Sequence, residues 1–313
     1  MQIADTPAAF AALPATGVTI GNFDGVHLGH QALVRRTLEV CGARGLDCVV
    51  VTFRPHPRTV LTPERPHAPL STRAERFALL ERLGVRHILE LPFTRELAAL
   101  SPEDFVRGYL LPLQPRELVV GHDFTLGRGR SGHPELLQQL GRDMGFGVEQ
   151  VSAVLAGGAP VSSTRLRECL AGGDVALARH LLGRPYAVSG AVAHGEGRGR
   201  GLGFPTANLD GAATLLPANG VYATRARLGG RSFDAVTNIG MKPTFGGDRL
   251  TVESFLLDAE GDFYGEDLAL EFAARLRGEQ RFPDAAALGR QISADVALAR
   301  RLLAEDAEHP EPA

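Results

Sequence analysis

The sequence predicts an α/β protein of two domains, with an N-terminal parallel sheet flanked by helices and a C-terminal antiparallel β-barrel that carries a terminal helix. Its 313 residues exceed the usual length of one domain. Short β-branched runs alternate with amphipathic segments as far as residue 183, and closely spaced strand candidates follow without intervening helices. We therefore expect one domain over residues 1–183 and a second over residues 184–313.

The first domain is predicted from its alternation of strand and helix signals. Helical patterns cover residues 30–45, 72–84, 102–112 and 133–145. Crossovers between parallel strands are right-handed and place their helices on the sheet faces, so this alternation indicates a parallel sheet. The strand candidates are VTIGNF (18–23), CVVVTF (48–53), HILELPF (87–93), ELVVG (117–121) and GVEQVSAV (147–154).

The second domain begins where a helical segment ends at Gly183 and Arg184-Pro185 interrupts the pattern. Strands that follow one another without helices are typical of an antiparallel sheet or small barrel. Residues 282–305 have helical periodicity and are expected to pack on that barrel. The strand candidates are YAVSGAVAHG (186–195), GVYATRARL (220–228), SFDAVTNIG (232–240), LTVESFLLD (250–258) and DLALEFAARLR (267–277).

The composition excludes several classes of function. A formal charge of −3 argues against a general nucleic-acid binder. The apolar runs are too short for a membrane span, and the N-terminus lacks the pattern of a secretory signal. The cysteines show no C-x-x-C spacing, and the single lysine, Lys242, precedes Pro243, so no Walker A loop exists. We expect a cytoplasmic protein with neither nucleic-acid nor membrane partners.

The first candidate site is the segment IGNFDGVHLGH (20–30), which follows a predicted strand and opens a predicted helix. Ligands bind at such junctions in open parallel sheets, and glycines there permit tight turns and close backbone approach. His27 and His30 would share one helix face beside free amides that favour anions, so they suit a polyphosphate. The alternative is a capped turn with two incidental histidines.

A second candidate lies in VSSTRLRECL (161–170), near the end of the same domain. Ser162, Ser163 and Thr164 stand just before a predicted helix, where hydroxyls commonly act as caps. Arg165 and Arg167 stand in the first turn, where a positive charge opposes the helix dipole. A bound anion would explain those arginines, whereas capping alone is the simpler alternative.

Two motifs of the second domain suggest nucleotide chemistry. The glycine-rich stretch from His194 to Gly203 either folds over phosphates or forms a mobile hairpin loop. Thr206 and Asn208 are two residues apart, so on an extended strand both oxygens face one side and suit Mg²⁺. The alternative is a pair of turn-forming residues. Glu253 alternates onto the face of Phe255, and an inward-facing glutamate there suits a general base.

The motifs of the first domain resemble a known family. H-x-G-H after the first strand and S-S-T-x-x-R after the last resemble the nucleotidyltransferase superfamily. The strings GNFDGVHLGH, VTFRPHP (51–57) and GHDFTLGRGRSG (121–132) are similar specifically to prokaryotic bifunctional FAD synthetases. The resemblance implies a Rossmann-like fold that transfers an adenylyl group from ATP to FMN and releases pyrophosphate.

The same resemblance implies roles for individual residues. His27 and His30 would contact the ATP phosphates, and Arg167 would stabilise developing charge. Asn22 and Asp123 would help to position the FMN phosphate and its flavin. The ATP site would further include Gly21, Asn22, Phe23, Gly29, Ser163 and Thr164, and the flavin side Phe53, Arg54, Pro55 and His56. A rigid proline loop with a surface histidine is the alternative for residues 55–57.

The second domain resembles riboflavin kinases through GRGRGLGFPTAN, NGVYAT, VTNIGMKPTF and TVESFLLD, in that order. This resemblance implies a six-stranded antiparallel barrel that phosphorylates riboflavin with MgATP. Thr206 and Asn208 would ligate Mg²⁺, and Glu253 would activate the ribityl 5′-hydroxyl. His194, Gly195, Arg200 and Gly203 would cover ATP, and Arg275 would border riboflavin.

Other functions stay open at this stage. The H-x-G-H domain could serve another acceptor, such as a pantetheine or a nicotinate nucleotide, or only one of the two domains could be active. The chain could also be a flavin-binding carrier with relic sites, which would release neither pyrophosphate nor ADP. The sequence does not determine the oligomeric state, although oligomers are possible.

Overall fold

The computed structural model describes residues 1–65, 67–194, 204–244 and 247–308. The chain forms two compact units, one of Met1–His67 with Arg73–Val161 and one of Ala68–Thr72 with Ser162–Ala313. The sequence instead predicts a boundary at residue 183, which stays a prediction. Among the described residues, no helix combines the length and the apolar character needed to cross a membrane.

The first unit is built on a six-stranded sheet whose paired strands all run parallel. The spatial order is β1-β4-β3-β2-β5-β6, and the predicted parallel sheet is thus confirmed. The edge strand β1 has only three exposed or half-exposed residues, so it carries no hydrophobic pattern that predicts it. The strands are β1 (Gln2–Ala4), β2 (Thr16–Ile20), β3 (Asp47–Arg54), β4 (His87–Pro92), β5 (Pro115–Gly121) and β6 (Gly147–Val151).

Helices cover both faces of this sheet. Because side chains alternate along a strand, Val49 and Val51 enter one apolar core while Val50 enters the other. The helix predicted over 102–112 is interrupted: α5 passes into a π-helical turn and then a 3₁₀ turn that contains Pro112. The helices are α1 (Leu28–Arg44), α2 (Pro57–Leu61), α3 (Arg73–Arg82), α4 (Arg95–Ala99), α5 (Pro102–Phe105) and α6 (Pro134–Met144), and a hairpin of β7 (Leu155–Ala156) and β8 (Ala159–Pro160) follows β6.

The second unit contains a closed antiparallel barrel with the strand order β10-β13-β12-β11-β14-β9. The predicted six-stranded barrel and its terminal helix are confirmed. Two helices, α7 (Ser163–Gly172) and α8 (Val175–Leu182), precede it. The remaining elements are β9 (Tyr186–Ala193), β10 (Thr206–Asp210), β11 (Gly220–Leu228), β12 (Arg231–Thr244), β13 (Gly247–Leu256), β14 (Asp267–Arg277) and α9 (Ala285–Glu308).

The interior of the barrel is identified by buried hydroxyls on three adjacent strands. Thr237 Oγ1 lies 2.7 Å from Thr224 Oγ1 and 2.6 Å from Ser254 Oγ, and all three residues are fully buried. The opposite face of β11 and β12 packs on α9 through Val221, Ala223 and Val236. Glu253 alternates with Ser254, so it lies on the outer face and not inward as the sequence analysis expected.

Candidate nucleotide and flavin sites

The turn between β2 and α1 lies at the point where the order of the parallel sheet reverses. From β2 the chain continues to β3 and β4 on one side, whereas β5 and β6 lie on the other. Open α/β sheets bind ligands in the crevice at the carboxyl ends of the strands beside such a point. Residues 21–27 and the exposed Asp123 follow the neighbouring strands β2 and β5. The fold therefore gathers the motif GNFDGVH and Asp123 at the same edge of the sheet.

The backbone of this turn is strained and firmly held. Phe23 and Val26 have positive φ angles of 50° and 41°, a region that bulky and β-branched residues avoid. The carbonyl of Asn22 accepts hydrogen bonds from Arg76 Nη1 at 3.2 Å and Thr52 Oγ1 at 3.4 Å. Gly21 donates its amide to the carbonyl of Val51 at 3.1 Å. These bonds hold the turn in a conformation that its side chains alone would not favour.

His27 and His30 lie together at the start of α1. His27 is the N-cap, and its Nδ1 accepts the backbone N–H of His30 at 3.3 Å. The two rings stack with centroids 3.6 Å apart and planes 16° apart. A Cβ atom at Gly29 would lie 3.2 Å from the His27 ring and 3.3 Å from the carbonyl oxygen of Val161, so a side chain there would crowd both. Glycine therefore permits this close packing.

The protonation of the pair follows from its surroundings. Burial lowers the pKa of His30 well below its usual value, and the neighbouring His27 lowers it further. Because Nδ1 of His27 accepts a hydrogen bond, a neutral His27 carries its proton on Nε2. A neutral imidazole still donates one N–H to an anionic oxygen, and the first amides of α1 add further donors. The arrangement therefore suits an anion that is bound by neutral N–H donors and not by a positively charged histidine.

The predicted flavin-side residues lie at the end of β3 and the start of α2. Phe53 packs edge-on against Phe93, with ring centroids 5.5 Å apart. Arg54 is exposed and is followed by Pro55, and His56 caps α2 by accepting the N–H of Arg58 at 3.2 Å. Arg54 also lines a cavity of about 450 Å³ together with Asp5, Arg73 and Glu90. The predicted roles of these residues in binding flavin stay predictions.

A polar cluster of a buried aspartate and two half-buried histidines links the residues around His56 to the turn. The ring of His56 stacks on that of His67 at 4.0 Å, and His67 Nε2 lies 3.7 Å from Asp24 Oδ2. Their ligand atoms lie within 4.8 Å of one another, a donor set that transition metals use. However, Nδ1 of His56 already accepts a backbone N–H, and stacked rings do not direct two lone pairs at one point. The sequence analysis did not identify Asp24 or His67 as site residues.

The S-S-T-x-x-R motif belongs to the second compact unit, so its local structure is described by itself. Ser162 caps α7 by accepting the N–H of Arg165 at 3.2 Å. Ser163 and Thr164 form the first turn, and Arg167 Nη1 donates to the carbonyl of Ser163 at 3.1 Å. The capping expected as the simpler alternative is present, and the predicted anion-binding roles of these residues stay predictions.

The register of the barrel brings together the polar residues predicted for phosphoryl transfer. Asn208 on β10 pairs with Glu253 on β13, and Thr206 pairs with Phe255. Directly opposed residues share a face, so Thr206, Asn208 and Glu253 lie together on the outer side of the barrel, all half-buried. Asn238 of β12 pairs with Glu253 from its other side, a residue that the sequence analysis did not single out.

The remaining predicted residues are arranged less simply. The ring of His194 lies against that of Tyr264, with centroids 3.6 Å apart, whereas Gly195, Arg200 and Gly203 lie outside the described residues. Arg275 donates to the carbonyls of Gly172 at 3.0 Å and Asn219 at 2.8 Å. Its guanidinium thus joins the end of α7 to the barrel, and its predicted contact with riboflavin stays a prediction.

The first unit is a parallel sheet with the His27–His30 pair where its strand order reverses. The second is a barrel with Thr206, Asn208 and Glu253 on its outer face. Together they are typical of a two-domain enzyme that acts on nucleotides. Family models agree: FAD synthetase matches residues 10–165 and riboflavin kinase matches residues 182–303. The chain belongs to the family of bifunctional riboflavin kinase/FMN adenylyltransferases, the FAD synthetases, as the sequence analysis predicted.

Similar proteins span nearly the whole chain. The bifunctional riboflavin kinase/FMN adenylyltransferase of Pseudomonas fluorescens is 43% identical over 92% of this chain and 93% of its own length. The protein of the same name from Bacillus subtilis is 36% identical, covering 89% of each chain. A crystal structure of a Streptococcus pneumoniae chain named macrolide-efflux protein matches with a TM-score of 0.87 and 30% identity, over 96% of this chain and 99% of that one.

Proposed function

We propose that this chain phosphorylates riboflavin to FMN in its barrel domain and converts FMN to FAD in its parallel-sheet domain, with ATP as the co-substrate of both steps. The proposal rests on one observation: the stacked His27–His30 pair and the Asn208–Glu253 register occur in one chain that matches both family models. Phosphoryl and adenylyl transfer depend mainly on positioning and on electrostatic stabilisation, which such sites provide.

In the barrel domain, Glu253 acts as the general base. Its carboxylate accepts the proton of the ribityl 5′-hydroxyl while that oxygen attacks the γ-phosphorus of ATP, so FMN and ADP result. The hydroxyl of Thr206 and the amide oxygen of Asn208 are hard donors on the same face as Glu253, which fits Mg²⁺. Bound Mg²⁺ supplies charge neutralisation at the phosphates; Thr206 and Asn208 would hold it.

In the parallel-sheet domain, the phosphate of FMN attacks the α-phosphorus of ATP and pyrophosphate leaves. His27 and His30 donate N–H groups to the phosphate oxygens, together with the amides at the start of α1. Arg167 stabilises the charge that develops as the bond to pyrophosphate breaks, and Asn22 and Asp123 orient FMN. The depressed pKa of His30 favours its neutral form, so binding relies on directed donors more than on a fixed positive charge.

Further expectations belong to the same proposal: a cytoplasmic location, a possible oligomer, and a functional boundary near residue 183. A flavin-binding carrier is the competing function. A carrier would bind one flavin per site and would release neither ADP nor pyrophosphate, so product analysis separates the two.

The test incubates purified protein with riboflavin, ATP and Mg²⁺ and resolves the flavins by chromatography. We expect FMN and FAD to form; the absence of both would refute the proposal. Glu253→Gln should lower the rate of FMN formation by a factor of about 10² or more, while FAD still forms from supplied FMN. His30→Ala should strongly lower FAD formation from supplied FMN, while FMN still forms from riboflavin. Loss of both activities in either folded variant would contradict two separate sites.

A further inference from the structure

Two cysteines of the first unit approach each other from different elements. Cys41 lies in the last turn of α1 and Cys48 is the second residue of β3, and both are reduced and buried. Their side chains enter the same apolar core. The nucleotide chemistry proposed above uses neither residue.

A glycine on β2 allows the two sulfurs to meet. Gly17 pairs with Cys48 across the parallel strands β2 and β3, so side chains at these two positions point to one face of the sheet. A Cβ atom at Gly17 would overlap Cys41 Sγ, which therefore occupies the space of the absent side chain. The thiols of Cys41 and Cys48 are hydrogen-bonded to each other. A disulfide then requires only that the two sulfurs approach to about 2 Å.

The hydrogen bond gives the two thiols different roles. The bond to Cys48 lowers the pKa of Cys41, although burial and the carboxylates of Asp47 and Glu117 act against it. The same bond, together with burial, raises the pKa of Cys48. The thiolate is the nucleophilic form of cysteine, so Cys41 is the sulfur that attacks an oxidant and Cys48 is the thiol that follows.

A small oxidant reaches this pair through the end of α1. Gly42 and Ala43 are exposed beside Cys41, and a Cβ atom at Gly42 would meet nothing within 4 Å. The helix ends at the exposed Arg44. Helix ends are among the parts of a protein that open most readily, and such opening exposes Cys41.

We propose that Cys41 and Cys48 form a redox-active dithiol, which hydrogen peroxide converts to a disulfide between α1 and β3. The Cys41 thiolate attacks one peroxide oxygen, the O–O bond breaks, and the leaving hydroxide takes a proton from solvent to form water. The sulfur of Cys48 then attacks the sulfenic acid at Cys41, and a second water leaves with the proton of Cys48. The two sulfurs are oxidised and the peroxide is reduced.

The pair lies far from the stacked histidines of the same helix. Cys41 is 11 residues beyond His30, which is about 16 Å along an α-helix. Gly17 and Cys48 lie near the amino ends of their strands, whereas the candidate nucleotide site lies at the carboxyl ends. The disulfide therefore forms without contact to the residues proposed for adenylyl transfer, and FAD formation should be retained.

The test treats the reduced full-length protein with hydrogen peroxide under native conditions, blocks the remaining thiols, and maps tryptic peptides by mass spectrometry. Cleavage at Arg44 places the two cysteines on separate peptides, residues 37–44 and 45–58. We expect these peptides to be joined by a disulfide that dithiothreitol releases, with Cys169 unmodified. FAD formation from supplied FMN should stay within about twofold of that by the reduced protein.

Single variants test the order of the two steps. Cys48→Ser removes the second thiol, so Cys41 should stop at the sulfenic acid, which dimedone traps. Cys41→Ser should leave Cys48 reduced at the same peroxide concentration. Cys169→Ser is the matched control, since this cysteine is also buried, and it should form the disulfide at the wild-type rate.

Several results would overturn the proposal. These are thiols that stay reduced in the native protein, a disulfide that forms only after denaturation, a disulfide that joins Cys169 or a second chain, and equal reactivity of Cys41→Ser and Cys48→Ser. Loss of FAD formation that dithiothreitol restores would refute the separation of the dithiol from the nucleotide site.

Discussion

At the start of α1, burial and the stacked His27 ring lower the pKa of His30 below its value in an unfolded chain. His27 uses one ring nitrogen to cap the helix, and this bond holds its ring against that of His30. His30 is half-buried beside this second imidazole, and burial and the neighbouring His27 both disfavour its protonation. The cost of protonating His30 in the folded state makes the stability of this region dependent on pH.

We predict that replacing His30 flattens that pH dependence. The folded pKa of His30 lies below the unfolded value, so the unfolded chain binds the additional proton first as pH falls. Stability should therefore decrease from about pH 6.5 downwards, until the depressed folded pKa is reached. Hydrogen exchange of the amides of α1 at pH 7 and pH 5 measures this, after correction for intrinsic rates. His30→Gln should reduce the difference, whereas His180→Gln, at an exposed site, should not. An unchanged difference in His30→Gln would contradict the burial argument.

The same residues show what a sequence can predict about a site. The spacing of His27 and His30, together with a preceding strand and a following helix, predicted their proximity without a structure. Phe23 and Val26 gave no signal of their positive φ angles, because their residue types disfavour that region. The contacts that hold them there come from Arg76 and Thr52, which are distant in sequence.

At the scale of elements, α3 and β4 support the turn through a buried ion pair. Arg76 Nη2 lies 2.9 Å from Glu90 Oε1, and Arg73 Nε lies 2.7 Å from Glu90 Oε2. Arg76 also reaches the carbonyl of Asn22, so one guanidinium joins a helix, a strand and the turn. Arg73 is far more exposed than Arg76, with 44% of its side chain accessible against 11%.

We predict that Arg76 and Arg73 differ in importance despite their shared partner. Arg76→Met leaves Glu90 with one exposed partner and removes a bond to the turn, so it should cost about 3 kcal/mol of unfolding free energy. FAD formation should fall and KM for ATP in that reaction should rise, while FMN formation stays unchanged. Arg73→Met is the matched control and should cost under about 1 kcal/mol. Denaturant unfolding and both activity assays measure this. Equal losses in the two variants would contradict the role of Arg76 in holding the turn.

The barrel site was only partly predicted, because its geometry depends on how the strands pair. The motif FPTAN indicated an extended pair, and Thr206 and Asn208 do lie on one strand face. The face of Glu253 was expected to be inward, because its neighbours Phe255 and Leu257 are apolar. The true interior is polar in part, with hydroxyls of Thr224, Thr237 and Ser254, so apolar character alone identified the wrong face. The pairing of Asn238 with Glu253 is seen only in the strand register, which a single sequence does not contain.

At the scale of the whole molecule, α7 and α8 belong by contacts to the unit that contains the barrel, although the sequence assigns them to the first domain. The amide of Ala218 donates to the carbonyl of Leu170 at 2.8 Å, and Arg275 donates to that of Gly172. Asp306 of α9 pairs with Arg179 of α8 and, at 2.8 Å, with Arg225 of β11. The buried apolar residues of α8 are Val175, Ala178, Leu181 and Leu182.

We predict that the barrel needs both helices for its full stability. A fragment of residues 184–313 exposes the barrel surface that α8 covers and separates Asp306 from Arg179. Burial of a leucine side chain contributes about 2 kcal/mol, so the loss should amount to several kcal/mol. A fragment of residues 162–313 should therefore melt at least about 10 °C higher than 184–313 by circular dichroism. Both should form FMN at a temperature where they are folded. Equal melting temperatures would instead support a domain boundary at residue 183, and would assign α7 and α8 to the first domain as the sequence indicates.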